Sequence, residues 1–519
     1  MSGKAVVPPE ARAGRGWLDG LERWGNSLPD PALLFALLIG ALVIVSAALA
    51  AAGWSTVHPS TGEVIAVESL LSPANLQRLF AGMPETLAAF PPLGLILVVM
   101  LGAAVAERSG LFATLVGDAV RHVPRRALTP AVFFIALLSH HAADAAYVVL
   151  IPLSAIVYAE AGRHPLAGIA AAYAGISGAF AGNLVPGQFD VLMLGITDAA
   201  AQMIAPGHVL NPLGNWWFTA ALGLAALPIA WFLTDRIVEP RLAKWIPDGE
   251  AAELAEPVPV SGPAERRGMR RAGIAALAVI ALFAALVLWP GDAPLVDENT
   301  AGAGRLVPFY QALVGGFAVL FLAAGWAYGS RAGTVGSHRD VVKMMNGGMR
   351  DIAPYLVIVF FAAHFIAMFG WSQIGPVLAI EGADTLRRLA LPIPVILLVL
   401  LLMTAVFDLV IGSASAKWSV MAPIVVPMLL LLGVSPEMTT AAFRTGDSIF
   451  NIVTPVASNF VLVLIFCQRW VKGFGIGSLI AMMLPYSMAM AVLGFGLVAI
   501  WSGFGLPVGP GATAFVAVP

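Results

Sequence analysis

Residues 441–460 read AAFRTGDSIFNIVTPVASNF, and this stretch decides the fold. It lies in an apolar run long enough to cross a bilayer, yet it carries Arg444, Asp447, Asn451 and Asn459, with Gly446 and Pro455 as interruptions. A charge at bilayer depth costs about 3 kcal/mol on insertion scales and above roughly 10 kcal/mol in simulations of isolated helices. A helix broken at that depth frees backbone groups that lipid cannot satisfy. Both costs fall when protein surrounds the segment and it lines a wet cavity. A polar, proline-interrupted crossing therefore points to a transport site.

Composition agrees with a chain that lives in lipid. Of 519 residues, 59% are hydrophobic and 11% charged, whereas soluble domains carry about 25% charged residues. The expected class is an all-α polytopic membrane protein. A net charge of −2 argues against nucleic acid as a partner. The single cysteine, Cys467, excludes an intrachain disulfide and reads as a small core residue. The first apolar run, 31–52, is too long for the core of a cleavable signal and lacks a small-residue cleavage site, so it reads as a first membrane helix.

Lys and Arg positions assign the sides. The arm 1–31, with Lys4, Arg12, Arg15 and Arg23, is expected to be cytoplasmic. The first half, 32–234, then crosses at 33–52, passes through an external loop at 54–86, and returns at 90–106 to Arg108, Arg121, Arg125 and Arg126. At about 20 residues per crossing, the run 130–158 is too long for one crossing and too short for two. Its polar middle, SHHAADAAY (139–147), suggests a re-entrant hairpin. A crossing broken near 182–187 spans 167–197, and 216–233 comes back in. Residues 235–271 carry Arg236, Arg241, Lys244, Arg266, Arg267, Arg270 and Arg271 and read as a cytoplasmic linker. In the second half, 272–519, crossings at 272–288 and 307–328 flank an acidic loop with Asp292, Asp297 and Glu298. A cytoplasmic loop with Arg331, Arg339, Lys343 and Arg350 and a crossing at 352–369 follow. A second hairpin at 391–432 has the polar middle GSASAKWS (412–419), and after it come the broken helix 439–466 and a last crossing at 476–500. The expectation is nine transmembrane helices plus two re-entrant hairpins, with the loops richest in cations on one side.

The two halves repeat each other at an offset of about 270 residues. GMPE (82–85) matches GMRD (348–351), and the spacing Asp144, Tyr147, Pro152 recurs as Ser415, Trp418, Pro423. Pro165 matches Pro436, and Asn183, Pro186 and Asp190 correspond to Asn451, Pro455 and Asn459 with one-residue slips. Loop charges run the helix at 90–106 inward and its counterpart at 352–369 outward, so the repeats are inverted. Inverted repeats with broken helices at the midplane suit alternating access.

SHHAADAAYVVLIPL, GAFAGNLVPGQFD, IGSASAKWSVMAPIVVPM and AAFRTGDSIFNIVTPVASNF resemble the p-aminobenzoyl-glutamate transporter (AbgT) family, with likeness from Leu18 to Trp501. The hairpin-tip and broken-helix pattern is more distantly similar to sodium-coupled dicarboxylate transporters. The AbgT resemblance implies a homodimer whose subunits each combine a scaffold part with a transport part bearing two hairpins. It implies p-aminobenzoyl-glutamate as substrate, with efflux of sulfonamide antimetabolites by some members. The functional positions it implies here are Asp190, Ser415, Trp418, Pro436, Arg444 and Asp447.

The residues themselves admit two readings each. Arg444 and Asp447, three apart on one helix face, are either a self-neutralising pair or a substrate site. In the second case Arg444 forks onto a carboxylate, and Asp447 steadies it or exchanges a proton. Asp190 is either a helix-end residue in water or a proton or cation carrier. Trp418 is either an interfacial ring or a stacking platform for a benzoyl group. Lys417 points to water or attracts an anion, and Asp408 is a buried acid without an evident partner. Asn183, Ser413, Asn451 and Asn459 offer neutral oxygens for Na⁺ beside unwound carbonyls, or cap the same helix ends, as does Ser415. His140 and His141 are adjacent and diverge on a helix, which disfavours a transition-metal site, and Asp144 is a helix-cap or gating candidate. No cofactor is expected beyond Na⁺ or H⁺ as the coupling ion.

The reading is a secondary active transporter, not an enzyme, in the cytoplasmic membrane of a bacterium, taking an anionic aromatic substrate. Sodium-coupled uptake of dicarboxylates is the alternative within transport. A membrane enzyme is disfavoured because HExxH, GxSxG and Walker patterns are absent, and a passive channel because Arg444 and Asp447 obstruct it.

Overall fold

The computed structural model describes residues 31–57, 62–121, 123–142, 144–207, 211–243, 245–249, 262–298, 305–408, 412–454 and 457–518. The arm 1–30 and Pro455 lie outside the described residues. The chain opens with α1 (Pro31–Ala51), a two-stranded antiparallel ribbon of β1 (Ser55–Val57) and β2 (Val64–Ala66), and α2 (Pro73–Ala88). Ser72 caps α2 by accepting from the Asn75 amide, with Pro73 in the first turn, where its missing N–H costs nothing. The expected external loop at 54–86 is therefore structured. Its helix is amphipathic and leads into α3 within the crossing-length stretch Pro73–Arg108.

α3 (Pro91–Arg108) and α4 (Leu111–Arg121) precede a helical hairpin. Its arms are α5 (Leu128–Leu138) and α6 (Asp144–Glu160), and its tip is a tight turn at Ser139–Ala142. α7 (Pro165–Tyr173) widens into a π-type turn at Ala174–Gly178, and the helix direction resumes at α8 (Gln188–Ala201). α9 (Trp216–Leu233) continues through a second π-type turn into a short helical stretch ending at Leu242. The second half holds α10 (Pro263–Leu288), α11 (Val307–Ala332), α12 (His338–Asp351), α13 (Ala353–Trp371) and α14 (Ile374–Arg388). It ends with α15 (Ile393–Asp408), α16 (Ala414–Leu430), α17 (Pro436–Phe450), α18 (Ser458–Trp470) and α19 (Ile476–Phe504).

The expected linker 235–271 is helical at both described ends. Glu265 reaches back to the Gly262 amide and starts α10 at Pro263, ahead of the expected 272. The basic run Arg266–Arg271 is therefore the first turns of a membrane helix. α12 is likewise a helix where the sequence reading had a loop, and α14 fills a stretch that it left unassigned. α12 is amphipathic and starts at a capping box of Ser337 and Asp340, and α14 turns 68° from the helix before it.

Among the described residues, five helices are long and apolar enough to cross a membrane: Pro73–Arg108, Trp216–Leu242, Pro263–Leu288, Pro308–Ala332 and Ile476–Phe504. The bent pair formed by α13 and α14 makes a sixth if taken as one span. α10 packs chiefly on α11, and α11 packs on α3 as well. α1 and α2 lie against α13, and α14 against α16. The largest core gathers α5, α6, α7, α9, α18 and α19, and a second joins α8 and α9 to α15, α16, α17 and α19. The C-terminal tail after α19 closes over one end of this body. Val508 accepts from the Phe218 amide and Ala514 from the Ser435 amide, so the tail holds the first turns of α9 and α17.

One expected interruption is not a break. Gly446 sits inside α17, where a Cβ would come 2.3 Å from the Leu401 carbonyl oxygen of α15. Its role is close helix approach, and α17 runs unbroken to Phe450.

Candidate transport site

α17 begins at Pro436 behind Ser435, whose Oγ accepts from the Met438 amide at 3.1 Å. Spacings of four and three then set Thr440, Arg444 and Asp447 on one buried face. Arg444 does not pair with Asp447. Its Nη1 donates to Asp190 Oδ1 at 2.7 Å, joining the start of α8 to the middle of α17. Asp190 is the third residue of α8. Its Oδ2 accepts from the Gly187 amide at 2.8 Å and from Asn183 Nδ2 at 2.5 Å. It is 3% exposed, which removes the reading of a helix-end acid in water. Asn183 is thereby used on Asp190.

Arg444 is 2% exposed, and its guanidinium carbon lies 5.2 Å from the centre of the Phe189 ring. Nη1 is taken by Asp190, while Nε and Nη2 have no hydrogen-bond partner. Those two N–H groups form one edge of the guanidinium fork, the edge that meets a carboxylate with two parallel bonds. A buried donor left unmade costs about 1–3 kcal/mol, so the open edge marks where an acceptor belongs.

Asp447 pairs instead with Lys417 of α16, whose Nζ lies 2.5 Å from Asp447 Oδ1. The same ammonium donates to Asp408 at the end of α15. All three are essentially buried. Lys417 thus neither points to water nor stands free for an anion, and Asp408 has the partner that its sequence context did not reveal.

Trp418 is fully buried and stacks on Phe443, with ring centres 4.2 Å apart and planes at 29°. Its Nε1 donates to Thr197 Oγ1 at 2.9 Å, and Thr197 is 2.7 Å from Thr440 Oγ1. The ring is spent on the seam between α8, α16 and α17, so the expected stacking on a substrate is not its contact here. Pro436, at the start of α17, is also away from the cavity described next.

A cavity of about 520 Å³ lies between the two broken segments and the two hairpin tips. Tyr147, Tyr173, Phe180 and Phe189 line it from the first half. Ser413, Ser415, Asp447, Asn451 and Asn459 line it from the second. Ser413 also caps α16 by accepting from the Ala416 amide at 3.4 Å. The Tyr173 hydroxyl donates to the Asn451 carbonyl across the halves at 3.2 Å. His140 reaches the cavity with Nε2 at 3.0 Å from the Ile176 carbonyl. Among the described residues no group of His, Cys, Asp and Glu is arranged to hold a metal ion. α6 begins at Asp144, whose side chain lies outside the described set. Sequence reading missed the aromatic wall, although Phe180 and Phe189 flank the break GNLVPG. It also missed the Asp408–Lys417 pair, although opposite charges bracketing a hairpin tip were a signal.

The sequence matches the AbgT putative transporter family over residues 16–516. The chain belongs to that family. It is 35% identical over 509 residues to the p-aminobenzoyl-glutamate transport protein of Escherichia coli K12, covering 97% of this chain and 98% of the relative. Two crystallographically or otherwise solved relatives share the fold. The YdaH transporter of Alcanivorax borkumensis superposes with a TM-score of 0.87 at 41% identity, covering 93% of this chain and 100% of that one. MtrF of Neisseria gonorrhoeae, described as illuminating a class of antimetabolite efflux pumps, gives 0.88 at 40% identity, covering 96% and 100%. The protein is thus a multi-pass membrane transporter of the AbgT family rather than an enzyme.

Proposed function

We propose that this protein is a secondary active transporter of p-aminobenzoyl-glutamate and of sulfonamide-type aromatic antimetabolites, driven by a proton or sodium gradient. The observation that carries the reading is the open Nε/Nη2 edge of Arg444, which is not itself among the lining residues but lies behind Phe189 of the aromatic wall and one helix turn from the cavity-lining Asp447. A carboxylate satisfies that edge without displacing Asp190, which holds Nη1. Tyr147, Tyr173, Phe180 and Phe189 supply ring faces and edges for a benzoyl group. A cavity of about 520 Å³ falls in the range of roughly 300–1,000 Å³ that small-molecule sites occupy. The substrate named for the Escherichia coli relative fits this chemistry, with a carboxylate at one end and an aromatic ring at the other.

Ser415 and Asp447 contact the cargo or its co-ion from the cavity wall, and Asn451 and Asn459 offer amide oxygens to Na⁺. The element order helix, tip, helix, helix, break, helix occurs once at α5–α8 and again at α15–α18. That order supports an internal repeat, and with the loop charges an inverted one, which suits an alternating-access movement of the hairpin-bearing part; a homodimer is part of the same proposal. The cations of Arg121–Arg126 and Arg331–Arg350, at helix ends and in the amphipathic α12, support a cytoplasmic N-terminus in a bacterial inner membrane. The test is uptake of labelled p-aminobenzoyl-glutamate into liposomes under Na⁺ and pH gradients imposed separately, with succinate as competitor. Strong inhibition by succinate, or release of free glutamate, would overturn the reading in favour of a dicarboxylate carrier or a hydrolase.

A further inference from the structure

Recognition of a carboxylate by Arg444 gives no task to Lys417 or Asp408, yet both are enclosed at the heart of the site. Arg444 and Asp190 sum to zero charge. With all three in their charged forms, Asp408, Lys417 and Asp447 sum to minus one, and a net charge away from water is costly unless a bound cation or a proton compensates it. The deficit equals one monovalent cation. The three groups are also not equivalent. Asp447 lines the cavity, whereas Asp408 is fully enclosed and its Oδ2 has no hydrogen-bond partner. The ammonium donates to Asp408, and Asp447 Oδ1 lies 2.5 Å from the same nitrogen. Lys417 therefore bridges an enclosed carboxylate, Asp408, and a cavity-facing one, Asp447. A lysine suits such a post because its charge rides on a flexible four-carbon stem.

We propose that Lys417 is a tethered internal cation that competes with the coupling cation for Asp447, and that Asp408 keeps the ammonium neutralised while the coupling cation is bound. The inference rests on the transport reading above and deepens it. The incoming species is a monovalent cation, proton or sodium, that reaches Asp447 from the cavity. With it in place the group is neutral, and on its departure Lys417 returns its charge to Asp447. The remaining titratable groups around the three are Tyr147, Tyr173 and His140 on the cavity side and the self-neutral Arg444–Asp190 pair. None of these supplies a permanent unpaired charge.

The test follows the charge count in the purified full-length protein. Na⁺ is titrated at fixed pH, and pH is titrated without Na⁺. The half-saturating concentration is read by ligand-dependent thermal stabilisation, which needs no substrate, and by substrate flux in liposomes. Asp408→Asn brings the group to zero and leaves Lys417 bound to Asp447, so the half-saturating cation concentration rises at least tenfold. Lys417→Met brings it to minus two and lowers that concentration at least threefold. Asp408→Asn combined with Lys417→Met restores minus one without the competitor and returns the value to wild type or below. A merely structural role shifts melting temperatures and leaves the half-saturating concentrations alone. Values within twofold of wild type in folded Asp408→Asn, or a double variant as weak as Asp408→Asn, overturn the proposal. If Asp408→Asn fails to fold, an unchanged value in Lys417→Met overturns it instead. Whichever titration responds names the cation. A wild-type protein that binds the cation as described but moves no p-aminobenzoyl-glutamate sinks the substrate reading and leaves this one standing.

Discussion

Replacing Asp190 with Asn removes one charge from a pair that is almost wholly enclosed. Arg444 then keeps its charge with 2% exposure and no carboxylate on Nη1. Breaking a buried ion pair by deleting one partner costs about 3–5 kcal/mol, whereas replacing both with neutral groups is often neutral or stabilising. The asparagine also gives up part of what Asp190 does for the start of α8, where its Oδ2 accepts from Gly187 and Asn183. An N-cap of that kind is worth about 1 kcal/mol. The expected loss is thus about 3 kcal/mol or somewhat more, above a hundredfold in an equilibrium constant. Adding Arg444→Met removes the stranded charge, so the double variant recovers most of this loss and differs from wild type chiefly by the cap. Flux behaves oppositely. Asp190→Asn retains some transport because the Nε/Nη2 edge remains, while Arg444→Met and the double variant retain none. Thermal unfolding in detergent and labelled flux in liposomes, on the same preparations, separate the two effects. Equal melting of Asp190→Asn and the double variant refutes the ion pair as a stabilising contact. Wild-type flux in the double variant refutes the guanidinium as the substrate's anchor.

Three other perturbations have definite outcomes. Ser415→Cys adds a thiol on the cavity wall, and the native Cys467 is buried. A membrane-permeant thiol reagent is expected to block flux in the variant alone, with substrate giving protection, and insensitivity of the variant would remove Ser415 from the pathway. Trp418→Phe keeps a ring against Phe443 but loses volume and the bond to Thr197. It should cost about 1–3 kcal/mol and leave KM within twofold, whereas a tenfold rise in KM would mean that the indole meets substrate after all. Gly446→Ala drives a methyl against the Leu401 carbonyl and should destabilise by about 1–3 kcal/mol through overpacking, read as a lower melting temperature.

What the sequence could disclose follows from the physics of lipid. Apolar runs of crossing length and polar interruptions within them are visible because hydrocarbon tolerates few exceptions. Membrane class, and polar residues worth attention such as Arg444, Asp447 and Asp190, were legible for that reason. α2, α12 and α14 were not, since helices of mixed polarity look like loops when only long apolar runs are counted. Pairing was the other blind spot. Arg444 and Asp447 are neighbours on α17, but partner choice is settled by what other helices bring alongside. Asp190 arrives from α8 and Lys417 from α16. Local spacing singled out charged residues that the structure buries, but not the partners they take. Trp418 failed similarly, because nothing local to the hairpin tip reveals that Phe443 and Thr197 already occupy its face and its N–H.

The two charge groups become one device when they are counted together. Unloaded, they sum to minus one, all of it in Asp408, Lys417 and Asp447. A single substrate carboxylate on Arg444 would raise the enclosed charge to minus two, and a cation alone at Asp447 would bring it to zero. p-Aminobenzoyl-glutamate brings a second carboxylate, so one cation would leave the loaded site at minus two, and a second cation would return it to minus one, the value of the unloaded site. A carrier that must enclose its cargo in both loaded and unloaded states pays least electrostatically when those states match, because the desolvation penalty of a buried charge rises steeply with its magnitude. The separate edges of Arg444 make this arithmetic available. Asp190 takes Nη1, and Nε and Nη2 have no partner, so under the proposed function a carboxylate would meet that edge without displacing Asp190. Pairing with Asp190 positions the arginine, and its unfilled edge is what remains for recognition.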